Sequence, residues 1–319
     1  MPAPNAIQLI AWWGAGVGPL LAILLWFHLR PVDRRSATAR LGFLVFTFLY
    51  GVSIWSFLIE PETLVVRRTV IQSPQWRGPP LRIGVLADTH VGAPHVTPER
   101  VRKVVARLSA ERPDVIVFLG DYAGGHNSAE LRPGPGRSMV LRGVAALGAA
   151  SAPLGRVAIL GNHDWWYDGP AIETMLRTAG IPVLENGSVR VARPGAPFWI
   201  AGLADEASKR AKPSAEMALR DVPPHEAVIL LSHRPDPFPS VPSRVALTIA
   251  AHTHCGQVNL PVLGRLISAS PGSARWPCGF YEEGGRKMYV TGGLGTSILP
   301  LRFRAPPEIV IITLSGPDG

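Results

Sequence analysis

The sequence predicts an α/β domain that follows two membrane-spanning helices. Residues 7–28 and 41–59 contain no Asp, Glu, Lys or Arg, and each stretch is close to the roughly 20 apolar residues that a helix needs to cross a bilayer. From about Glu62 onward, short runs rich in Val, Ile and Leu alternate with amphipathic stretches. We therefore expect a membrane anchor over residues 1–60 and a soluble domain over residues 61–319.

The charges between the two apolar stretches predict the orientation of the chain. A single acidic residue, Asp33, stands there against four basic residues, Arg30, Arg34, Arg35 and Arg40. By the positive-inside rule this loop is cytoplasmic, so both termini face outward. We expect an integral protein of the cell inner membrane whose large domain is extracytoplasmic, although Arg67 and Arg68 reduce the charge asymmetry.

Five short apolar runs predict buried strands, at residues 81–86, 115–119, 157–160, 227–231 and 245–250. They lack strict alternation, which is typical of strands buried on both faces. Residues 98–108 have helical spacing, with Thr97 as the expected N-cap and Pro98 at the first helical position. Residues 139–149 and 170–178 predict further helices, and the segment 124–137, rich in Gly and Pro, predicts a long surface loop.

Every one of these five runs leads into side chains that can bind a metal ion. These side chains are Asp88, His90, Asp121, Asn162, His163, Asp164, His233, His252 and His254. Taken singly, each is as well explained by a turn, a helix cap or a core histidine. Taken together they favour a functional site, because ligands gather at the carboxyl ends of strands in α/β sheets and buried polar groups need partners.

The mixture of oxygen and nitrogen donors predicts two hard or borderline divalent cations. Asp121 can bridge them, and a pair of ions about 3.5–4 Å apart holds a phosphoryl group and activates a water. His163 follows the predicted ligand Asn162 and is suited to protonating the leaving-group oxygen, with Asp164 able to orient it. These residues predict a phosphoester hydrolase.

The motif order DTH, GDY, GNHD, SH and AHTH resembles that of the calcineurin-like metallophosphoesterases, over roughly residues 81–258. The segment GGLGTSILPLRFRAPPEIVIITL, which begins at Gly292, is similar to a bacterial branch with N-terminal membrane anchors. The resemblance implies a four-layer αββα sandwich of two mixed β-sheets flanked by helices. Ala251 and Cys255 stand where the family usually has glycine, and neither departure removes a ligand.

The resemblance also implies a role for each site residue. One metal would be held by Asp88, His90, Asp121 and His254, and the other by Asp121, Asn162, His233 and His252. His163 matches the family's general acid or transition-state stabiliser, and Asp164 matches its partner. The metals would be Mn, Fe or Zn in various pairs.

Several residues outside the motifs leave alternatives open. The aromatic residues at 165–167 either line the mouth of the cleft or pack beneath it, and His95 is either a substrate contact or a plain loop residue. Arg302 and Arg304 are candidates for phosphate contact, although nothing local separates them from surface charges. Cys255 and Cys278 either pair, if the domain lies in an oxidising compartment, or remain as buried thiols.

The composition narrows the class of partner. The net charge of +9 comes without a Lys/Arg run of five or a recognisable nucleic-acid-binding module, so we expect basic residues to attract an anionic phosphorylated substrate. We expect a phosphodiesterase acting at or near the membrane, on a lipid-linked or a soluble phosphoester. A non-catalytic membrane-anchored scaffold is the alternative. An amidohydrolase-type deamidase is disfavoured, since that fold opens with His-x-His and this chain with Asp-x-His.

Overall fold

The computed structural model describes residues 37–124, 134–265 and 268–317, together with Leu21. Apart from Leu21, the first predicted membrane helix at 7–28 lies outside the described residues, as does most of the basic loop that follows it. Residues 125–133 of the predicted surface loop lie outside them as well.

The second apolar stretch is helical throughout. Helix α1 (Ala37–Ile54) continues into a π-helical turn (Trp55–Ile59) and a 3-10 turn (Glu60–Glu62). Among the described residues, Leu41–Glu62 is the one helix long and apolar enough to cross a membrane. Only 6% of its most apolar 18-residue stretch is buried inside the protein. The exposed apolar side chains of this helix are Leu41, Leu44, Val45, Phe48, Leu49, Trp55, Leu58 and Ile59.

The first sheet has five strands in the order β1-β13-β2-β3-β4. Their bounds are β1 (Val65–Gln72), β2 (Leu81–Leu86), β3 (Val115–Phe118), β4 (Arg156–Ala158) and β13 (Glu308–Ser315). Strands β2, β3 and β4 are parallel to one another. Strand β13 runs antiparallel to β2 and parallel to β1, which makes the sheet mixed. The first three predicted apolar runs all lie in or beside this parallel part.

The second sheet has six strands in the order β11-β12-β8-β7-β6-β5. Their bounds are β5 (Gly187–Val191), β6 (Phe198–Gly202), β7 (Val228–Ser232), β8 (Leu247–Ala250), β11 (Gly279–Glu283) and β12 (Arg286–Val290). The four inner strands are parallel, and the two edge strands β5 and β11 pair antiparallel. A separate short hairpin is formed by β9 (Asn259–Leu260) and β10 (Gly264–Arg265).

The helices of the domain are α2 (Pro98–Ala110), α3 (Gly134–Ala146), α4 (Asn162–Thr178), α5 (Ala215–Ala218) and α6 (Pro271–Arg275). Thr97 caps α2 as predicted, because its side chain accepts a hydrogen bond from the backbone N–H of Arg100. Helices α3 and α4 begin earlier than predicted, at residues where Gly, Pro and the site motif hide the helical pattern. Helix α4 bends at Asp168, which has a non-helical φ of −168° two residues before Pro170.

Apolar side chains pack in successive layers. One cluster, which includes Val105, Phe118 and Leu176, fills the space between helices α2, α3 and α4 and the first sheet. A second cluster joins the inner faces of the two sheets, with residues such as Ile83 and Leu231. A third covers the outer face of the second sheet, where α5 packs. Two mixed sheets therefore lie face to face with helices outside, as the family resemblance implies.

Candidate metal centre

The predicted ligands converge at the carboxyl ends of strands from both sheets. Strands β2, β3 and β4 lead into the segments that carry Asp88, His90, Asp121, Asn162, His163 and Asp164, and strands β7 and β8 lead into those that carry His233, His252 and His254. None of these nine side chains is more than 7% exposed. The site is thus a buried, strongly polar cluster in an otherwise apolar interior.

Three overlapping groups of these side chains could hold metal ions. The groups are Asp88 with His90 and His254, then His90 with Asp121 and His163, then Asp121 with His233 and His252. Within each group the potential ligand atoms lie within 4.8 Å of one another. Asp121 belongs to two groups, so its carboxylate stands between the ligands from the first sheet and those from the second.

Backbone conformation marks the same residues. Asp88, His90, Asp121, His252 and His254 all have positive φ, between 46° and 70°. Residues other than glycine seldom adopt this conformation, and such strain concentrates at functional sites because the surrounding structure must enforce it. The left-handed turns aim the side chains back across the strand ends toward one another.

Close packing explains the glycine of the GNHD motif. A Cβ atom added to Gly161 would lie 2.3 Å from Asp121 Oδ1 and 2.6 Å from the ring of His233. Both distances are shorter than any real Cβ contact, so a side chain here would displace two potential ligands. The motif therefore needs glycine for space at the centre of the site.

Asp121 makes contacts in three directions. Its Oδ1 accepts a hydrogen bond of 2.8 Å from the backbone N–H of His163, and its Oδ2 lies 3.2 Å from His233 Nε2 and 3.7 Å from His90 Nε2. Burial opposes ionisation, but the charges of His233 and His163 hold the pKa of Asp121 well below its usual value. This carboxylate is therefore ionised and available to a cation.

Asp164 binds backbone rather than standing free. Its two oxygens accept hydrogen bonds from the backbone N–H groups of Asp121 (2.8 Å), Tyr122 (2.7 Å), Ala123 (3.1 Å) and Gly161 (2.9 Å). Because these donors lie on two separate loops, the carboxylate ties the loop after β3 to the start of α4. Its predicted role as the partner of His163 stays a prediction.

The electrostatics of the cluster fit a bound cation. Burial raises the pKa of Asp88 to about 7 and lowers the pKa of His90 to about 3, and it holds the pKa of His254 well below the usual value. His90 Nε2 lies 3.1 Å from His254 Nε2. The buried Nε2 of His252 has no hydrogen-bond partner among the described residues. Neutral imidazoles such as those of His90 and His254, close to the carboxylates of Asp88 and Asp121, are a donor set suited to metal ions.

The aromatic residues after the motif have different positions. The ring of Trp166 is half-exposed and lies 4.9 Å, centroid to centroid, from the ring of His163. Tyr167 is fully buried in the core, and Trp165 is partly buried with Arg210 4.6 Å above its ring. Of the two alternatives, packing applies to Tyr167, whereas Trp166 lies at the surface beside His163 and its place at the mouth of a cleft stays a prediction.

Arg302 and His95 do not lie where a substrate contact would be. Arg302 is fully buried, and its guanidinium donates to the backbone carbonyls of Gly292, Gly293, Gly295 and Ala305. The structure therefore disagrees with a phosphate contact for Arg302, whose donors hold the loop after β12. His95 bonds to Glu62 and to the Pro300 carbonyl, between the helix end and that loop.

A disulfide joins Cys255 and Cys278, which decides between the two alternatives for these cysteines. Cys255 directly follows His254 and has a positive φ of 53°. The bond joins two residues that are 23 positions apart, and the segment between them contains the β9–β10 hairpin. Sequence reasoning found the two cysteines but had no signal for their distance, because the pairing depends on how β8 and β11 sit in the second sheet.

The fold and this cluster are those of a metal-dependent hydrolase. A model of the calcineurin-like phosphoesterase family matches residues 81–256, which is more than half of the chain, and the chain belongs to that family. It is accordingly an enzyme that hydrolyses phosphoester bonds. The family resemblance inferred from the motifs is thereby confirmed.

Several curated proteins are similar over most of their length. The metallophosphoesterase YkuE of Bacillus subtilis is 32% identical over 238 residues, which cover 74% of this chain and 79% of that protein. The phosphodiesterase YaeI of Escherichia coli is 28% identical over 74% of this chain and 82% of its own length. The UDP-2,3-diacylglucosamine pyrophosphatase LpxG of Chlamydia trachomatis is 26% identical over 81% of this chain and 92% of its own length.

Proposed function

We propose that the chain is a dinuclear metal-dependent phosphodiesterase that acts at or near a membrane. The observation that carries this proposal is the position of Asp121, whose Oδ2 lies within 3.7 Å of His90 Nε2 and 3.2 Å of His233 Nε2. One carboxylate can therefore contact two ions. Two ions suit phosphoester hydrolysis because its transition state spreads negative charge over several oxygens.

Each ion would have four protein ligands. The first would be held by Asp88, His90, Asp121 and His254, and the second by Asp121, Asn162, His233 and His252. Mn, Fe or Zn suits this mixture of carboxylate, amide oxygen and imidazole. When bound, the ions supply Lewis-acid stabilisation of the phosphoryl oxygens and an activated water as nucleophile.

His163 would protonate the leaving-group oxygen. Its backbone N–H is held by Asp121 Oδ1, its Nε2 lies 3.5 Å from Ser297 Oγ, and its ring packs against Trp166. These contacts hold the imidazole at the edge of the metal groups, where a leaving oxygen would depart. Asp164 would act as its partner through the backbone, since it holds Gly161 and Asp121 on either side of the site.

The placement at a membrane extends this proposal. We assign residues 1–60 to an anchor with two transmembrane helices, about 7–28 and 41–59, and residues 61–319 to a metallophosphoesterase domain outside the cytoplasm, at the cell inner membrane. The apolar, largely unburied helix Leu41–Glu62 supports the second span. The name of the chlamydial relative denotes a diacylated nucleotide substrate, which supports a lipid-linked phosphoester here.

The test is hydrolysis of bis-p-nitrophenyl phosphate and p-nitrophenyl phosphate by the purified chain with Mn, Zn or Mg added. We expect metal-dependent turnover, faster on the diester, that is lost in Asp121→Ala and in His163→Ala. His225→Ala is the matched control, because His225 is an exposed histidine outside the cluster. Two bound ions without turnover on any phosphoester would favour the non-catalytic scaffold. A chain that neither binds metal nor hydrolyses a phosphoester would overturn the proposal.

A further inference from the structure

Two exposed β-branched residues have backbone conformations that such residues rarely adopt. Val262, in the turn between β9 and β10, has a φ of 69°, and Ile298, in the loop after β12, has a φ of 63°. For β-branched side chains a positive φ is a true outlier, and it persists only where something compensates for it. Burial of the side chain compensates little here, because Val262 is fully exposed and Ile298 is 53% exposed.

We refer to the exposed side chains of Val262, Leu263 and Ile298 as the apolar rim. Leu263, next to Val262, is 68% exposed, so the hairpin ends in two adjacent large apolar side chains. A strand rises about 3.3 Å per residue, which places the turn only about 10 Å beyond the root of the hairpin at Asn259. The hairpin tip and Ile298 thus extend from neighbouring segments, and neither is covered by the described part of the protein.

Hydrogen bonds join the hairpin to the loop that carries Ile298. The backbone N–H of Asn259 donates to the Phe303 carbonyl at 2.9 Å, and the N–H of Phe303 donates to the Gln257 carbonyl at 2.8 Å. The Gln257 side chain donates to the carbonyls of Leu299 and Leu301 and accepts from the N–H of Ser297. These hydrogen bonds therefore hold the hairpin root and residues 297–303 together.

The same loop is bonded to the end of the apolar helix. The backbone N–H of Arg302 donates to the Ser56 carbonyl at 2.9 Å, and the N–H of Ala305 donates to Glu60 Oε1 at 2.6 Å. Ser56 and Glu60 lie where α1 continues into its π-helical and 3-10 turns. The exposed rim is therefore held close to the point at which the apolar helix meets the domain.

The loop also reaches the metal centre. The backbone N–H of Gly295 donates to the Asp88 carbonyl at 2.6 Å, and Ser297 Oγ lies 3.5 Å from His163 Nε2. The side chain of Ile298 follows directly. A single hydrogen-bonded unit thus connects the helix end, the apolar rim and the entrance to the site.

We propose that Val262, Leu263 and Ile298 insert into the surface of the lipid bilayer that holds α1, so that the metal centre faces lipid. This inference rests on the membrane anchoring proposed above and adds a second lipid contact beside the site. The occupant is a lipid surface rather than a protein because the loop that carries Ile298 is hydrogen-bonded to the end of the apolar helix. Arg304 is exposed in the same loop, where a basic side chain suits lipid phosphates.

The contact determines where the substrate comes from. With the rim inserted, a phosphodiester at the headgroup level reaches the entrance beside His163 without leaving the bilayer. Soluble phosphoesters would have to approach from the remaining open side. The inference therefore deepens the proposed substrate class toward lipids whose phosphoester lies at the membrane surface.

The test places a photoreactive benzophenone amino acid at position 263, at position 298 or, as a control, at Met217 in the full chain. Met217 is also apolar and 52% exposed, but it lies on α5 at the outer face of the second sheet. Each labelled chain is reconstituted in phospholipid nanodiscs and irradiated, and adducts are identified by mass spectrometry. We expect phospholipid adducts at 263 and 298 and at least tenfold fewer at 217.

The outcomes separate this inference from the proposed function. A chain that stays in the nanodisc but forms no lipid adduct at 263 or 298 overturns the inference alone, as does an adduct with a second copy of the chain. A chain that does not remain with the nanodisc overturns the membrane anchoring as well. Turnover of bis-p-nitrophenyl phosphate in the same samples reports on the metal centre independently of either result.

Discussion

The backbone N–H of Asp121 donates a 2.8 Å hydrogen bond to Asp164 Oδ2. Asp121, which belongs to two of the three groups of potential ligands, is thus positioned by the last residue of the GNHD motif. That residue lies 43 positions further along the chain. The other oxygen accepts from the N–H groups of Tyr122 and Ala123. One buried carboxylate therefore organises the turn in which Asp121 adopts its left-handed conformation.

Asp164→Ala should weaken both the fold and the metal centre. Four buried N–H donors would lose their acceptor, and each unsatisfied donor costs about 1–3 kcal/mol. We expect the free energy of unfolding to fall by at least about 3 kcal/mol, with bound metal and kcat falling together. Denaturant unfolding and metal analysis provide the measurement. Wild-type stability and metal content in Asp164→Ala would show that this carboxylate does not organise the turn.

Metal affinity should depend on pH through Asp88. Burial raises the pKa of this carboxyl to about 7, so below that pH a cation must displace a proton, whereas above it the carboxylate is already ionised. We expect the apparent affinity for Mn to rise with pH by up to about tenfold per unit for each proton that the metal displaces. The rise should be steeper below pH 7, where Asp88 must also lose a proton, and should continue above it, because the Asp121 carboxylate outweighs burial and raises the pKa of His233 to about 10. Calorimetric titration from pH 5.5 to 8.5 measures it, and a pH-independent affinity would contradict the assignment of Asp88.

Removal of metal should lower the thermal stability of the chain. The metal-free cluster buries His252 Nε2 without a hydrogen-bond partner among the described residues and sets His90 Nε2 3.1 Å from His254 Nε2. Metal ions would bind the folded state selectively, because only folding brings these ligands together. At a metal concentration of 100 Kd the stabilisation is about 2.7 kcal/mol, so chelation should reduce Tm by roughly 5–10 °C. Calorimetry at pH 8 before chelation, after it and after readdition of Mn is the measurement. A Tm that changes neither on chelation nor on readdition of Mn would argue against a metal site.

Arg302 should tolerate neither lysine nor an apolar replacement. Its guanidinium is fully buried, and its donors satisfy the carbonyls of Gly292, Gly295 and Ala305. The single ammonium group of a lysine cannot reproduce the planar set of N–H donors of the guanidinium. We therefore expect Arg302→Lys and Arg302→Met each to lower the free energy of unfolding by about 3 kcal/mol or more. Arg304→Lys is the control, since Arg304 is exposed. Urea unfolding of the three variants checks this, and an unaffected Arg302→Lys would contradict the structural role.

Local pattern was sufficient for β2, β3, β4, β7 and β8, the five strands that lead into the candidate site. It did not mark the other strands, such as β1 and β12. The Val115–Phe118 strand is fully buried, and a continuous apolar run predicts that arrangement because both faces must be covered. The residues that follow each run then gather, since parallel strands bring their carboxyl ends to one edge. The starts of α3 and α4 were not predictable in this way. Gly134, Pro135 and Pro170 obscure the helical spacing. Asn162 and His163 were interpreted as site residues that follow a strand, although they also begin helix α4.

Side-chain roles that depend on distant partners required the folded chain. His233 Nδ1 bonds to the carbonyl of Leu119, 114 positions away, and the burial of Arg302 depends on four carbonyls grouped by the turns after β12. The Cys255–Cys278 bond is equally a consequence of how strands of the second sheet are placed. The same residue types in the same order are compatible with exposed arginines or free thiols.

The amino-acid sequence by itself therefore determined the α/β class, the apolar stretch that becomes α1 and the identity of the metal-capable side chains. Each of these follows from hydrophobic periodicity and from residue types at strand ends, which are properties of neighbouring residues. Tertiary structure alone decided that Asp164 holds the Asp121 turn, that Arg302 is internal and that Val262 and Ile298 are exposed. Those arrangements arise from hydrogen bonds and packing between segments far apart in the chain, so they cannot be inferred from a local sequence pattern.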